Sequence, residues 1–200
     1  MKRYFLFLAG AAAMLGACEA SDDSAVVEQT AATTGEEDAA ADAPLEGTEA
    51  LIASALSAGP ASVTDGATVV DAEGNVLREG TNGWTCLPEG QMGAMCNDAV
   101  WMEALTAMMA GEPFPTGRFG VSYMLAGEGD APGVSNIDPT ATEPTEDNMW
   151  IKDGPHMMLI LPDPAAYADI TNDVSQPVYV MWKDTPVAHL MVRIDDAPTP

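Results

Sequence analysis

The sequence predicts an α+β fold: a small, mostly antiparallel sheet with two or three short helices, preceded by a disordered acidic tether. Three observations predict it. Apolar residues at helical spacing fall early in the folded part, between residues 48 and 110. Period-two or continuous apolar runs of strand length dominate from residue 119 onward. Such an order favours α+β over a doubly wound sheet. The third is that residues 19–47 hold nine acids, no Lys or Arg, and only Val26, Val27 and Leu45 as larger aliphatics. A segment of that kind cannot bury enough surface to offset its ordering entropy. It reads as a spacer, with reach away from an anchor as its functional counterpart.

The folded domain is expected over residues 48–194, with residues 195–200 fraying. Leu51, Ile52, Ala55 and Leu56 share a helical face behind Thr48, and Gly59-Pro60 ends that run. Ala67–Val70 and Val76–Arg78 flank Asp71-Ala-Glu-Gly74-Asn75, where Gly74 supplies the left-handed position of a hairpin. Asn97 or Asp98 caps a helix running to Ala110 and stopped by Gly111, with Trp101, Ala104, Leu105 and Met108 as its buried stripe. Phe119, Val121, Tyr123 and Leu125 alternate with smaller residues, as in a half-buried strand. Residues 127–147 read as one long polar loop. Met157–Leu161 reads as a central strand covered on both faces. Residues 164–170 suit a short helix, and 178–182 and 187–194 two further strands. On the last, Ala188, Leu190, Val192 and Ile194 form the apolar face, which leaves His189 accessible beside Arg193.

Met1-Lys2-Arg3 followed by an apolar run to Leu15 has the pattern of a secretory signal, residues 1–17. The run is too short to span a bilayer, which needs about 20 apolar residues. Its end, Leu15-Gly16-Ala17-Cys18, resembles the lipobox of bacterial lipoprotein precursors. That resemblance implies cleavage before Cys18 and lipidation of its thiol, with residues 18–47 as lipidated Cys and linker. Glu19, rather than Asp, after the Cys implies the outer membrane, with the domain facing the periplasm. Beyond residue 17 the chain has five cations against 31 acids. Such a surface excludes a nucleic-acid partner, because phosphates need a cationic one.

With Cys18 assigned to lipid, Cys86 and Cys96 remain as a pair in an oxidising compartment. A disulfide closing that short Gly- and Pro-containing loop is expected, with a free reactive thiol as the alternative. No nucleophile elbow, P-loop, zinc-protease or dinucleotide motif occurs. Asp71-x-Glu73-x-Asn75 lacks the Gly and Glu positions of a calcium loop. Eleven Met beyond residue 17, with two His, raise a copper hypothesis. Met as core filler in a chain poor in Phe is the simpler account. No cofactor or metal is therefore expected. The candidate ligand-binding residues are Ser135, Asn136 and Asp138 in the long loop, beside Thr140, together with His156 and His189.

Asn82-Gly-Trp-Thr-Cys86, Ser122–Leu125, Ser135-Asn-Ile-Asp-Pro139, Gly154-Pro-His156, Val178–Trp182 and Thr185–Met191 resemble motifs of a group of uncharacterised secreted bacterial proteins, over residues 66–194. The resemblance implies that both His and the 135–140 loop belong to the common core, and it carries no activity. The leading expectation is an envelope lipoprotein with a non-enzymatic binding or scaffold domain. The alternative is a small periplasmic enzyme, hydrolase-like, or a metal-binding protein, using His156 or His189 with a carboxylate.

Overall fold

The order of strands sets the architecture, because one long sheet gathers residues that lie far apart in sequence. A computed structural model describes residues 46–194. The expected signal, Cys18, nearly all of the expected tether and residues 195–200 lie outside the described residues. The ten strands are β1 (Thr68–Val70), β2 (Val76–Arg78), β3 (Thr85–Leu87), β4 (Met95–Asn97), β5 (Gly120–Met124), β6 (Val134–Ser135), β7 (Trp150–Ile151), β8 (His156–Ile160), β9 (Val178–Met181) and β10 (His189–Arg193). The helices are α1 (Gly47–Leu56), α2 (Ala61–Thr64) and α3 (Ala99–Ala110), with a 3-10 turn at Pro164–Tyr167. The class is α+β as expected, but the sheet is not small. It has eight strands in the order β2-β1-β3-β4-β5-β8-β10-β9, and β6 and β7 pair separately. Among the described residues only β1 and β3 run parallel, and every other neighbouring pair is antiparallel.

The two sheet faces carry two cores. Cross-strand partners share a face, so Cys96 and Tyr123 point one way, and Ser122, Met158 and Met191 the other. The first face packs against α1 through Ala55, Val69, Cys86 and Cys96. The second packs against α3 through Trp101, Ala104, Ile160, Tyr179 and Met191. Burial on both sides explains a reversal in β5. There Gly120, Ser122 and Met124 are buried, while Val121 and Tyr123 are only half-buried and Phe119 just before them is exposed. The last strand is reversed in the same way. His189 and Met191 are buried, while Leu190 and Val192 are half-buried.

Local chemistry fixes the elements. Asp71 Oδ1 accepts from the amides of Glu73 and Asn75 at 3.0 and 2.8 Å, so this carboxylate closes the β1–β2 turn. Asp98 caps α3: its Oδ1 accepts from Trp101 N at 2.8 Å. Its Oδ2 accepts from Val121 N at 2.8 Å, so the cap also ties α3 to β5. Gly111 ends the helix at φ 70°, a conformation costly for any residue with a Cβ. Cys86 and Cys96, cross-strand partners on β3 and β4, are joined by a disulfide. The long polar stretch is not one open loop, since β6 lies inside it and pairs with β7.

Two expected outcomes follow from these ties. Asp98→Ala removes both bonds of one carboxylate and should cost about 2 kcal/mol in urea unfolding. Asp98→Asn keeps one acceptor and should cost about half as much. A Cys86→Ser, Cys96→Ser variant should lose roughly 2–3 kcal/mol, the loop-closure value for so short a loop. An unchanged urea midpoint in either series would mean that these ties do not hold the fold.

Candidate functional site

Between the α3-facing side of the sheet, α3 itself and the 128–134 segment lies a cavity of about 60 Å³. Its walls are mostly thioether, aromatic and aliphatic. Met95, Met124, Met158, Met181 and Met191 come from the sheet, Met108 from α3, and Met92 from the β3–β4 loop. Gly93 lets that loop approach closely, since a Cβ there would sit 2.4 Å from the Gly127 carbonyl oxygen. Trp101, Phe114 and Trp182 complete the aromatic part of the wall.

Three titratable side chains line this apolar space: His156, His189 and Glu128. Both imidazoles are oriented by the backbone. His156 Nδ1 donates to the Gly154 carbonyl at 2.7 Å and His189 Nδ1 to the Val187 carbonyl at 3.1 Å. A carbonyl can only accept, so each ring carries a proton on Nδ1, which in neutral His189 leaves the lone pair on Nε2. His189 is 2 % exposed, and its Nε2 has no hydrogen-bond partner. Its ring stands edge-on to Trp101 and Trp182, with centroids 5.2 and 5.1 Å away. Burial draws the His189 imidazole down to about 4, opposed by the Val187 carbonyl and reinforced by His156. Glu128 is 6 % exposed and its Oε2 also lacks a partner. Burial pushes the Glu128 carboxyl up to about 7; a backbone hydrogen bond from Asp153 opposes this, Asp153's charge adds to it, and Lys152 opposes it.

The expectation that His189 is accessible is therefore overturned. Its strand face is roofed by α3 and by the chain around Phe114, which a reading of β10 alone does not reveal. His156 and His189 share the cavity; Ser135, Asn136 and Asp138 do not line it. Ser135 Oγ donates to the Asn148 carbonyl at 2.6 Å and accepts from the amides of Ile137 and Asp138. Asn136 Nδ2 donates to the Asn172 carbonyl at 3.0 Å. Asp138 Oδ1 closes a surface turn by accepting from Thr140 N at 2.8 Å. Ser135 and Asn136 act on the cavity indirectly. Their carbonyls accept from Trp182 Nε1 and Trp182 N at 2.7 and 2.8 Å. Trp182 stands at φ 53°, a left-handed conformation that a bulky residue rarely adopts. Those two bonds hold it there.

Sequence reasoning missed Glu128, one acid among 31, and the wall methionines. A signal for the latter was present: His156-Met-Met158 and His189-Leu-Met191 both read His-x-Met, which puts His and Met on one strand face. Asn97 and Ser122, cross-strand partners on the same face, are fully buried with Asn97 Oδ1, Asn97 Nδ2 and Ser122 Oγ unpartnered. They do not line the cavity. Among the described residues no group of three or more His, Cys, Asp or Glu side chains is placed to hold a metal ion. The chain matches no protein-family model, no curated protein and no solved structure.

The two perturbed groups have opposite effects on stability as pH changes. Glu128, raised from 4.5 to about 7, gives stability that is full below pH 4.5 and lost as pH rises through 7. His189, lowered from 6.5 to about 4, gives stability that is full above pH 6.5 and lost as pH falls through 4. Between these limits the two slopes offset. Glu128→Gln should therefore gain stability relative to wild type as pH rises from 4.5 to 7, by on the order of 2–3 kcal/mol. Chemical denaturation of both proteins across that range checks this, and parallel profiles would refute it.

Proposed function

We propose that this chain is a cell-envelope lipoprotein, lipidated at Cys18 and held at the outer membrane with its domain facing the periplasm. The domain is a non-enzymatic binding module whose seat is the Met- and His-lined cavity. The charged start, the short apolar run and Leu15-Gly16-Ala17-Cys18 support the anchoring. The observation that carries the binding role is His189 Nε2, buried without a partner in the cavity wall. Leaving such a nitrogen unpaired costs roughly 1–3 kcal/mol, and a small species bound to its lone pair would recover that cost.

The cavity that holds both imidazoles is small for an organic substrate. Small-molecule sites occupy roughly 300–1,000 Å³. A cavity of about 60 Å³ has room for an ion or about two waters. Its wall offers no Ser, Thr, Cys or Lys as a nucleophile. The hydrolase-like alternative therefore finds two imidazoles and a carboxylate but little room for the bond to be cut.

Two measurements test this reading. Globomycin should block maturation, and mass spectrometry should find a diacylglyceryl group on Cys18 in the outer-membrane fraction. An unmodified N-terminus elsewhere, in soluble periplasm, would overturn the anchoring. His189→Leu removes an unpaired polar atom from an apolar wall and should keep the melting temperature within about 4 °C of wild type. The same variant should fail to complement a strain lacking the protein. Full complementation at normal protein level would overturn the binding role.

A further inference from the structure

We propose that the cavity binds monovalent copper, with His189 Nε2 and the thioethers of Met181, Met191 and Met158 as ligands. The proposal rests on the binding reading above and names its ligand. Strand register puts these side chains together. β8 and β10 are antiparallel, each carries His-x-Met, and Met158 lies opposite Met191. Met181 lies opposite His189 across β9–β10. His189 thus has one thioether beside it on the neighbouring strand and another two residues along its own. Opposed side chains on one face start about 4.5–5.5 Å apart at Cβ. All four residues line the same cavity. The Val187 carbonyl takes the Nδ1 proton, which leaves Nε2 as the ligating nitrogen, the usual way a backbone acceptor orients a metal-binding His.

The donor set selects the ion. Calcium and magnesium require several oxygens; zinc takes thiolate, imidazole or carboxylate, and among the described residues no three such groups are placed together. Neutral thioethers beside an imidazole are soft donors and suit Cu(I). Charge agrees as well. Glu128 is the one carboxylate among the lining residues, so the wall offers at most a single negative charge. Size agrees too, because a cavity of about 60 Å³ admits an ion. The second imidazole has matching neighbours: Met124 lies opposite His156 across β5–β8, and Met158 stands two residues along. Each His thus has one thioether opposite it on a neighbouring strand and another two residues along its own.

The test uses the full chain in detergent, with Cys18 blocked by its lipid or by alkylation so that no thiol competes. Cu(I), kept reduced by ascorbate without oxygen, is titrated against the chelator bicinchoninate, with Zn(II) in a parallel titration. The expected result is a single Cu(I) withheld from the chelator, no Zn(II) retained, and sulfur and nitrogen neighbours in X-ray absorption. Removing an outer-shell partner already weakens metal sites by about 10–100-fold. His189→Leu and the Met181→Leu, Met191→Leu double variant should each lose at least about as much. Asp138→Ala, on a surface turn, should lose nothing. Three results would each overturn the proposal: copper stripped from the folded wild type as readily as from the unfolded chain, absorption without sulfur neighbours, or leucine variants that bind like wild type. Native mass spectrometry of protein extracted gently from membranes separates this failure from that of the binding reading. A different small species, lost in His189→Leu, overturns copper and leaves the binding reading standing. An empty protein, with His189→Leu complementing fully, removes both.

Discussion

Asp153 is a buried charge with its partners drawn from three separate parts of the chain, and one end of the sheet depends on it. Its Oδ1 accepts from Arg193 Nε at 3.0 Å, and its Oδ2 accepts from Tyr179 Oη. Its carbonyl accepts from Glu128 N at 3.1 Å. Arg193 lies over the Tyr179 ring, 5.2 Å from the centroid, and also donates to the Val174 and Gln176 carbonyls. Burial, with the charge of Asp153 beside it, pushes the Tyr179 hydroxyl far above its ordinary range, so it stays a donor at any working pH. Removing one member would strand a charge away from water, which is costly, whereas the complete set is tolerated. The same group that ties β9 and β10 to the start of β8 therefore fixes the backbone of Glu128 at the cavity wall.

The cavity sits where this charged network meets an otherwise apolar layer, and methionine suits that boundary. An unbranched thioether fills an irregular gap without imposing a shape. The sheet's other face is packed differently, with alanines of α1 and a disulfide over short strands. α1 contributes Ala55, and Ala58 follows it; both are fully buried, so the helix lies close to β3 and β4. The covalent link pins these short strands in register. β4 in turn carries Met95 into the cavity wall and leads into Asp98, the residue that caps α3 and bonds β5.

What could be read from the sequence was what local chemistry decides. Asp98 and Gly111 bracket α3 because a carboxylate cap and a left-handed glycine are short-range effects. The β1–β2 turn and the apolar run of β8 are local in the same sense. β3, β4, β6 and β7 were not legible, being two or three residues long, too short for any period to show. Their pairing is decided by the disulfide and by neighbours distant in sequence. The face of β10 was misjudged for a related reason. Leu190 and Val192 are the more apolar pair, so they claim the core in a one-strand reading. With helices on both sides of the sheet, the deeper side goes to whichever face meets α3. Both imidazoles were legible as candidates, but their shared wall and Glu128 emerge only from the β5-β8-β10-β9 order.

Ser135 and His189 show why burial alone does not identify a working residue. Ser135 is buried, and its hydroxyl makes three hydrogen bonds while its carbonyl holds Trp182. Every polar atom of that side chain is answered by the fold, so its role is complete without a ligand. His189 is equally buried, and the fold answers only one of its two nitrogens. The surrounding rings of Trp101, Phe114 and Trp182 could as well enclose a leucine or a phenylalanine. Each unanswered polar atom costs on the order of 1–3 kcal/mol in a domain whose whole stability is about 5–15 kcal/mol. Glu128 Oε2 repeats the pattern in the same cavity wall, and Trp182 adds a backbone held in a disfavoured region. Three unfavourable features converge on a small space lined by soft donors. The Trp182 backbone is held by its bonds to Ser135 and Asn136, and the unpartnered His189 nitrogen and Glu128 Oε2 are the two atoms that the proposed ion would answer.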